Sequence, residues 1–440
     1  MRKIKEKPQP QSTQTLHGQP SAGGSSCAGA LRPAVAAAVL AAALGCLVAG
    51  YVAGRAQWSL KKPPLTPELL ATTADRAVPL KPGPWGHLEA VPIRIAPLEE
   101  YLPVKMLEEI GSRWYFVDYS PETLTALFNK ADLTPAQRAE LADTAKWQQG
   151  GDGITITPSD NLIFTLSPSA RKTIYTALWQ LPASGLRGRM ASFRADQFDD
   201  IFAHSGLSAD IIDLVKTLSF RHGQLLFFCD APWVLGKIPV FDDKVRFIRT
   251  IVGKSTLLLR LHVTADSNVT SLANYWSKAS WGKDITPMLE SLSRVPGGAR
   301  VDIVHLFPPM PTECLYTFPF PSRDPADALK DCHWVALNFF RDPPDLSLTD
   351  HEKIRKIIDN DYFPVLSDPR YGDLVQLVRP NGDVIHSAIF IADDVVYTKN
   401  SSGSLEPYML MRLQTLIDTF DAFVPEDETL RVVISRSKYY

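Results

Sequence analysis

A long uncharged apolar segment near the N-terminus constrains this chain more than any other feature. Its 22 residues, Pro33 to Gly54, contain no charged side chain, and Arg32 and Arg55 flank it. At about 1.5 Å per helical residue, such a segment crosses a hydrocarbon core of about 30 Å. The sequence therefore predicts a single transmembrane helix over residues 33–54. A cleaved signal peptide is the alternative, which the long apolar segment and the polar tail before it disfavour.

The charges around this segment bear on its orientation. Four basic residues within residues 2–7 favour an N-terminus in the cytoplasm, although Lys61 and Lys62 lie close to the other end. Residues 1–32 are rich in Gln, Ser, Gly and Pro, which predicts a disordered cytoplasmic tail. We therefore expect a single-pass membrane protein whose C-terminal domain lies outside the cytoplasm.

Proline is the most prominent residue in the stretch that follows. Residues 55–106 contain many prolines and show little periodicity, which predicts a semi-rigid spacer. The remaining chain is long enough for two domains of about 150 residues each. We place a mixed α/β domain of unknown role at residues 107–321 and an α+β domain at residues 322–440. The net charge of −2 gives no electrostatic case for nucleic-acid binding.

Helix signals dominate the first part of residues 107–321. Three times a Ser or Thr precedes a proline, a pattern typical of a helix start, at Ser120-Pro121, Thr134-Pro135 and Ser167-Pro168. Apolar spacing from Ile211 to Leu218 predicts a further helix. The remainder mixes both types, with strands predicted at 255–263 and 301–307 and helices at 271–277 and 285–295.

The last region begins with helices and continues as a β meander. Asp331 precedes a short apolar helix, and a second helix is predicted over residues 349–359. Apolar segments separated by turn residues predict the meander, with strands at 374–378, 384–391 and 395–398. The prediction ends with a helix over residues 409–420 and a strand over residues 430–434.

The positions of cysteine and histidine limit the possible chemistry. Two of the five cysteines lie in the tail and the apolar segment, which leaves Cys229, Cys314 and Cys332. The histidines are scattered, and His351-Glu352 lacks a second histidine at the spacing of a zinc-binding helix. The sequence implies no metal and no organic cofactor.

Cys332 has the surroundings that an activated thiol needs. Asp331 is a suitable helix cap, so Cys332 lies in the first turn of an apolar helix. A thiolate is stabilised at a helix N-terminus and beside an imidazole. Free backbone N–H groups of Cys332 and His333 are candidates to hold an oxyanion. His386, near the start of a strand, is the candidate general base.

The predicted hairpin supplies a partner for the His386 ring. If the turn has three residues, Ile391 faces Val395 and His386 lies opposite Asn400. Thr398 is then the diagonal neighbour of His386 on the same face. We expect Asn400 to orient the imidazole, with Thr398 as the alternative.

The C-terminal third resembles the NlpC-type branch of papain-like cysteine peptidases. That family shows an Asp-Cys-Ser-Gly helix start, a Gly-Asp-Leu before a strand, a strand opening His-Val-Gly-Ile-Tyr and a third polar residue further on. The matching segments are Asp331-Cys332-His333-Trp334, Gly372-Asp373-Leu374, His386-Ser387-Ala388-Ile389-Phe390 and Thr398 to Asn400. In this chain His333-Trp334 replaces the family's Ser-Gly pair.

The resemblance implies a papain-like fold, in which an antiparallel meander packs on the helix that carries Cys332. It implies Cys332 as nucleophile, His386 as general base, and Asn400 or Thr398 as the orienting residue. It also implies cell-wall peptides, or another amide or thioester, as substrate. The expected function is a membrane-anchored thiol hydrolase. Two alternatives stay open: a catalytically inactive binding module, and an envelope scaffold whose middle domain binds a protein partner.

Overall fold

The computed structural model describes residues 76–102, 113–179, 190–277, 284–319, 329–425 and 427–439. The predicted tail, the predicted transmembrane helix and the predicted domain boundary at residue 321 lie outside these ranges. Within them, no helix combines the length and the apolar character needed to cross a membrane. All the described residues belong to one compact unit, residues 71–440.

Strands and helices alternate along most of the described chain. The strands are β1 (Val78–Pro79), β2 (His87–Ile95), β3 (Trp114–Val117), β4 (Gln148–Gly150), β5 (Gly153–Ile156), β6 (Ala191–Arg194), β7 (Phe220–His222), β8 (Leu225–Phe228), β9 (Lys254–Val263), β10 (Ala299–Asp302), β11 (Tyr362–Pro364), β12 (Leu374–Val378), β13 (Val384–Ala392), β14 (Val395–Thr398), β15 (Met409–Arg412) and β16 (Arg431–Ser437). The α-helices are α1 (Pro121–Lys130), α2 (Pro135–Leu141), α3 (Asp160–Thr165), α4 (Pro168–Trp179), α5 (Phe198–Ala203), α6 (Ala209–Leu218), α7 (Ala231–Lys237), α8 (Phe241–Val252), α9 (Val269–Trp276), α10 (Thr286–Ser293), α11 (Pro309–Cys314), α12 (Cys332–Asn338), α13 (His351–Asp361) and α14 (Leu413–Asp421).

The strands form four antiparallel sheets. A six-stranded sheet has the order β11-β16-β12-β13-β14-β15, and a four-stranded sheet has the order β1-β2-β9-β10. Two three-stranded sheets have the orders β3-β5-β4 and β6-β8-β7. With helices packed on antiparallel sheets, the described chain has an α+β fold, as the sequence predicts.

The predicted helix starts in the first region are confirmed. The Ser120 and Thr134 side chains accept hydrogen bonds from the third residue of α1 and of α2, and both helices begin at the proline. Ser167 accepts a hydrogen bond from the N–H of Ala170 at the start of α4. A cap followed by proline satisfies one free N–H group and removes another, so these helices begin where local chemistry dictates.

Part of the predicted spacer is a central strand. Strand β2 pairs with β9 over nine residues, from His87 opposite His262 to Ile95 opposite Lys254. Pro92 argues against a strand in the sequence, because proline removes a donor from the β ladder. On the other side of β2, however, β1 pairs only with Glu89 and Ala90. Proline is therefore accepted where β2 has one partner strand.

Two predicted elements differ in type from those observed. The predicted strand 301–307 ends at Asp302, whose carboxylate accepts a hydrogen bond from the Val304 N–H and starts a 3-10 turn. The predicted helix 409–420 begins as strand β15, which pairs with β14 along the sheet edge. Here pairing with a neighbouring strand outweighs local helix propensity. Helix α14 starts only at Leu413.

The β13–β14 hairpin has the predicted register along its strands, but its turn differs from the predicted turn. Ile389 pairs with Tyr397, as predicted, but Ala392 rather than Ile391 pairs with Val395. The turn consists of two residues, and Asp393 adopts a φ of 53°. A register shift between Phe390 and Ala392 restores the predicted pairing.

The six-stranded sheet is covered on both faces. Ile389 and Ile391 of β13 share a hydrophobic cluster with helix α12. Ala388 and Phe390 belong to a second cluster with Leu416 of α14. Because side chains alternate along a strand, the odd-numbered residues between 386 and 391 face α12 and the even-numbered residues there face α14.

The cluster beneath α12 also contains residues that precede position 321. Phe307 stacks on Tyr371 with ring centroids 6.1 Å apart, and Tyr371 lies edge-on to Phe339 of the α12 segment. The Tyr275 hydroxyl donates to the Ile391 carbonyl at 2.8 Å. Residues on both sides of the predicted domain boundary therefore share one core.

Candidate functional site

Cys332 is the first residue of α12, directly after the cap. One carboxylate oxygen of Asp331 accepts hydrogen bonds from the N–H groups of His333 and Trp334, at 2.9 and 3.0 Å. The Cys332 side chain is buried, with only 6% of the residue exposed. The structure thus places the thiol at a capped helix N-terminus.

The cap changes what the first turn of α12 can do. The sequence predicts that the His333 N–H holds an oxyanion, but this group already donates to Asp331. A backbone donor engaged by a carboxylate is not free for a second anion. The predicted oxyanion role of His333 is therefore wrong for this arrangement.

His386 lies on the opposite side of the sheet from α12. Its ring is 4.2 Å from the Phe420 ring of α14, between centroids, and its Nε2 lies 2.7 Å from the Thr398 hydroxyl. Burial lowers the pKa of His386 to about 3, and protonation of nearby His333 acts in the same direction. The imidazole is therefore neutral at neutral pH.

The predicted pairing of Cys332 with His386 is not formed. Nδ1 of His386 is buried without a hydrogen-bond partner among the described residues. The Cys332 sulfur instead lies beside the N–H of Ser387. The physical reason is the alternation of β13, which directs His386 toward α14 and Ser387 toward α12.

The two candidates for orienting His386 have different positions. Thr398, the alternative in the sequence analysis, makes the hydrogen bond to the imidazole. Asn400 is only half-buried, and its side-chain oxygen has no partner within the described part of the chain. The diagonal geometry of the hairpin thus favours Thr398.

The imidazole near the thiol belongs to His333. One ligand atom from each of Asp331, Cys332 and His333 lies within 4.8 Å of the other two. Nδ1 of His333 lies 2.8 Å from the Ser387 hydroxyl, which fixes the ring. Burial lowers the pKa of His333, so the ring is neutral and able to accept a proton.

A second histidine reaches the same cluster from α13. Nε2 of His351 lies 2.9 Å from the free carboxylate oxygen of Asp331, and the His351 ring is 5.5 Å from the His333 ring. The His351 side chain is 68% exposed, so the cluster opens to solvent there. Sequence spacing did not reveal this neighbour, because His351 meets Asp331 through tertiary packing.

Lys399 is a site residue that the sequence analysis missed. It is 1% exposed, and its amine donates to the carbonyls of Ser401 and Gly403. Extending the β13–β14 pairing by two residues places Lys399 opposite Ser387, on the α12 side. Burial lowers the pKa of Lys399 to about 8, and the Glu406 carboxylate and an ionised Cys332 thiolate act in the opposite direction. The predicted register could have identified Lys399.

The thiol is protonated in this environment. Burial first, and the Asp331 charge second, raise the pKa of Cys332 to about 12, although neighbouring backbone N–H groups act in the other direction. Burial likewise raises the pKa of Cys314 to about 11. An attack by Cys332 therefore requires a base that removes the proton during the reaction.

Comparison with known proteins adds no relative. No protein-family model, curated protein or solved structure matches this chain. The resemblance to NlpC-type peptidases accordingly rests on the motif residues of the C-terminal third.

Proposed function

We propose that this chain is a membrane-anchored thiol hydrolase that cleaves an amide bond, with Cys332 as nucleophile and His333 as general base. One observation carries the proposal. A ring nitrogen of His333 lies within 4.8 Å of the Cys332 sulfur, while Ser387 holds Nδ1 of the same ring. A nucleophile, a base and a group that orients the base are the parts that thiol hydrolysis requires.

The proposed reaction uses these groups in order. Neutral His333 takes the Cys332 proton as sulfur attacks the carbonyl carbon, and the protonated ring then gives that proton to the leaving amine. Water cleaves the resulting thioester and regenerates the thiol. The positive charge of Lys399 favours the thiolate that forms during the attack. His386, bound to Thr398 on the far face, supports strand β13 and takes no part in proton transfer.

The substrate class follows from the resemblance and from the predicted anchor. A helix at residues 33–54 with a cytoplasmic N-terminus would hold the site outside the cytoplasm, where cell-wall peptides occur. The proposed substrate is therefore a peptide amide of the cell wall. An envelope protein bound by the middle region remains part of the proposal as a partner.

The second candidate is a catalytically inactive NlpC-like binding or scaffold protein of the envelope. Two observations favour it: the thiol is almost fully buried, and burial raises the pKa of Cys332 to about 12. Such a thiol reacts slowly unless the neighbouring base activates it.

Alkylation of the detergent-solubilised full chain with iodoacetamide at pH 7 separates the two candidates. Peptide mass spectrometry gives a separate rate for each cysteine. The hydrolase proposal predicts that Cys332 reacts at least roughly tenfold faster than Cys229 and Cys314. His333→Gln should abolish that difference, whereas the matched variant His386→Gln should preserve it. Equal, slow alkylation of all three thiols in the unmodified chain would support the inactive module.

A further inference from the structure

The cluster around Cys332 combines side chains of the types that bind zinc. Asp331, Cys332 and His333 each place a ligand atom within 4.8 Å of the other two. His351 adds an imidazole nitrogen 2.9 Å from the Asp331 carboxylate. The thiol, the imidazole and the carboxylate of this group, with the His351 imidazole beside it, are the side-chain types found in tetrahedral zinc sites.

The spacing of these groups suits a small ion. Zinc bonds of about 2.0–2.3 Å place the ligand atoms of a tetrahedron roughly 3.5 Å apart. The ligand atoms of Asp331, Cys332 and His333 therefore need only a small side-chain adjustment to close around one ion. His351 lies outside that group, and its exposed side chain has to turn toward the thiol to supply the fourth ligand.

The groups behind the ligands are arranged as supports for a metal site. Nδ1 of His333 is held by the Ser387 hydroxyl at 2.8 Å, which fixes the ring beside the thiol. One oxygen of Asp331 is fixed by two backbone N–H groups, so its other oxygen faces His351. Fixed second partners of this kind orient ligands and raise metal affinity.

We propose that Asp331, Cys332, His333 and His351 bind one zinc ion, and that bound zinc blocks the thiol chemistry of the same site. The regulatory part rests on the proposed function, since zinc would occupy the sulfur and the imidazole that serve as nucleophile and base. Binding replaces the thiol proton: Zn²⁺ and the Cys332 thiol give a zinc thiolate and one proton released to solvent. Chelation of zinc restores the free thiol.

Cobalt titration of the metal-free, detergent-solubilised full chain tests the binding site. Co²⁺ is a spectroscopic substitute for zinc, and a thiolate ligand produces a sulfur-to-cobalt charge-transfer band. We expect that band to saturate at one ion per chain and to disappear when zinc is added. Absence of the band overturns the metal site.

Variants show which side chains carry the binding. Cys332→Ser should remove the charge-transfer band, and His351→Gln should weaken cobalt binding roughly tenfold or more. His204→Gln is the matched control, because His204 is also exposed and lies beside an aspartate, Asp200. Circular dichroism confirms that each variant is folded. Equal affinity in the His351 and His204 variants would exclude His351 as a ligand and overturn the four-ligand site.

Alkylation with and without zinc separates this inference from the proposed function. Zinc should protect Cys332 at least roughly tenfold and leave the Cys314 rate unchanged. If metal-free Cys332 reacts slowly but the cobalt band forms, the hydrolase proposal fails and the metal site stands. If Cys332 reacts rapidly and zinc gives no protection, the hydrolase proposal stands and the zinc inference is overturned.

Discussion

His386 and Ser387 are consecutive residues with separate environments. Ser387 bonds to His333 beside the thiol, whereas His386 bonds to Thr398 and packs on Phe420. The alternation of β13 produces this division, so a substitution on one face need not disturb the other. The chemistry of the site and the stability of the sheet can therefore be tested independently.

Thr398→Val should lower stability without changing the reactivity of the thiol. The substitution preserves the shape of the side chain but leaves Nε2 of buried His386 without its partner. We expect a loss of about 1–3 kcal/mol in the free energy of unfolding, measured by chemical denaturation. Thr398→Ser, which retains the hydroxyl, should lose less. A change in the Cys332 alkylation rate in Thr398→Val would contradict the placement of the two groups on opposite faces.

The neutral His386 should make the protein acid-sensitive. Burial lowers the folded-state pKa of His386 to about 3, whereas an unfolded histidine titrates near about 6.5. Between these pH values the unfolded chain binds a proton that the folded chain does not, so stability falls as the pH falls. The contribution of this group is up to about 1.4 kcal/mol per pH unit. Above about pH 6.5 it is constant.

Denaturation at several pH values measures this effect. His386→Gln should reduce the pH dependence of the unfolding free energy in that window. His204→Gln, a substitution of an exposed histidine, should leave it almost unchanged. The same slope in the His386 variant and the unmodified chain would show that another group causes the acid sensitivity.

Lys399→Met should slow the alkylation of Cys332. The amine is buried near the thiol, and its positive charge favours the thiolate over the thiol. We expect the pH–rate profile of Cys332 to move to higher pH, with a rate at pH 8 lower by roughly threefold to tenfold.

Lys254→Met is the matched control for Lys399→Met. Lys254 pairs with Glu406 at 2.7 Å, and Glu406 also acts electrostatically on Lys399. The control therefore removes a nearby cation on a different side chain. Similar effects of the two variants on the Cys332 alkylation rate would mean that the loss of any nearby positive charge has this effect, and that the position of Lys399 is not important.

At the scale of elements, the cap of α12 couples helix stability to thiol reactivity. The Asp331 carboxylate satisfies two N–H groups, while its charge raises the pKa of Cys332. Asp331→Asn keeps a good cap and removes the charge. We expect unfolding free energy to change by less than about 1 kcal/mol. The Cys332 alkylation rate should increase by roughly threefold or more.

The start of α13 provides a control for the Asp331 substitution. Asp350 accepts hydrogen bonds from the N–H groups of Glu352 and Lys353, which is the same capping arrangement. Asp350→Asn should have a similar small effect on stability and no effect on Cys332. Faster alkylation in both variants would indicate loosening of the whole helical region rather than loss of a local charge.

The elements that the sequence predicts well are those with local causes. The caps at Ser120 and Thr134 determine helix starts, and the short apolar segments of β12 and β14 indicate the strands. Strand β15 has no such local signal, since Met409–Arg412 also fits a helix. Its type depends on pairing with β14, which is a contact made by the folded chain.

The site shows the same division between local and tertiary causes. The positions of Asp331 and Cys332 at a helix start follow from the sequence, and the hairpin register predicts the contact of Thr398 with His386. The sequence does not reveal which face of β13 lies against α12. Because Ser387 rather than His386 faces α12, the imidazole beside the thiol belongs to His333. For the same reason Lys399, opposite Ser387, lies in the site.

At the scale of the whole molecule, one core joins residues before and after position 321. Trp276 and Phe307 from the earlier region pack on Tyr371, with ring centroids 5.3 and 6.1 Å away. Tyr371 also lies against Phe339, directly after α12. Residues before position 321 therefore help to position the helix that carries Cys332.

This shared core predicts that Phe307→Ala destabilises the C-terminal sheet as well as its own region. Loss of a buried phenylalanine leaves a cavity and costs about 3 kcal/mol. Because Phe307 contacts Phe339 and Tyr397, amide hydrogen exchange should accelerate in β13 and β14 as much as in β9. Phe116→Ala, in a separate cluster, should accelerate exchange mainly in β3 and β5. Unchanged protection of β13 in Phe307→Ala would show that residues 322–440 fold as an independent domain, and the thiol site would then not depend on the rest of the chain.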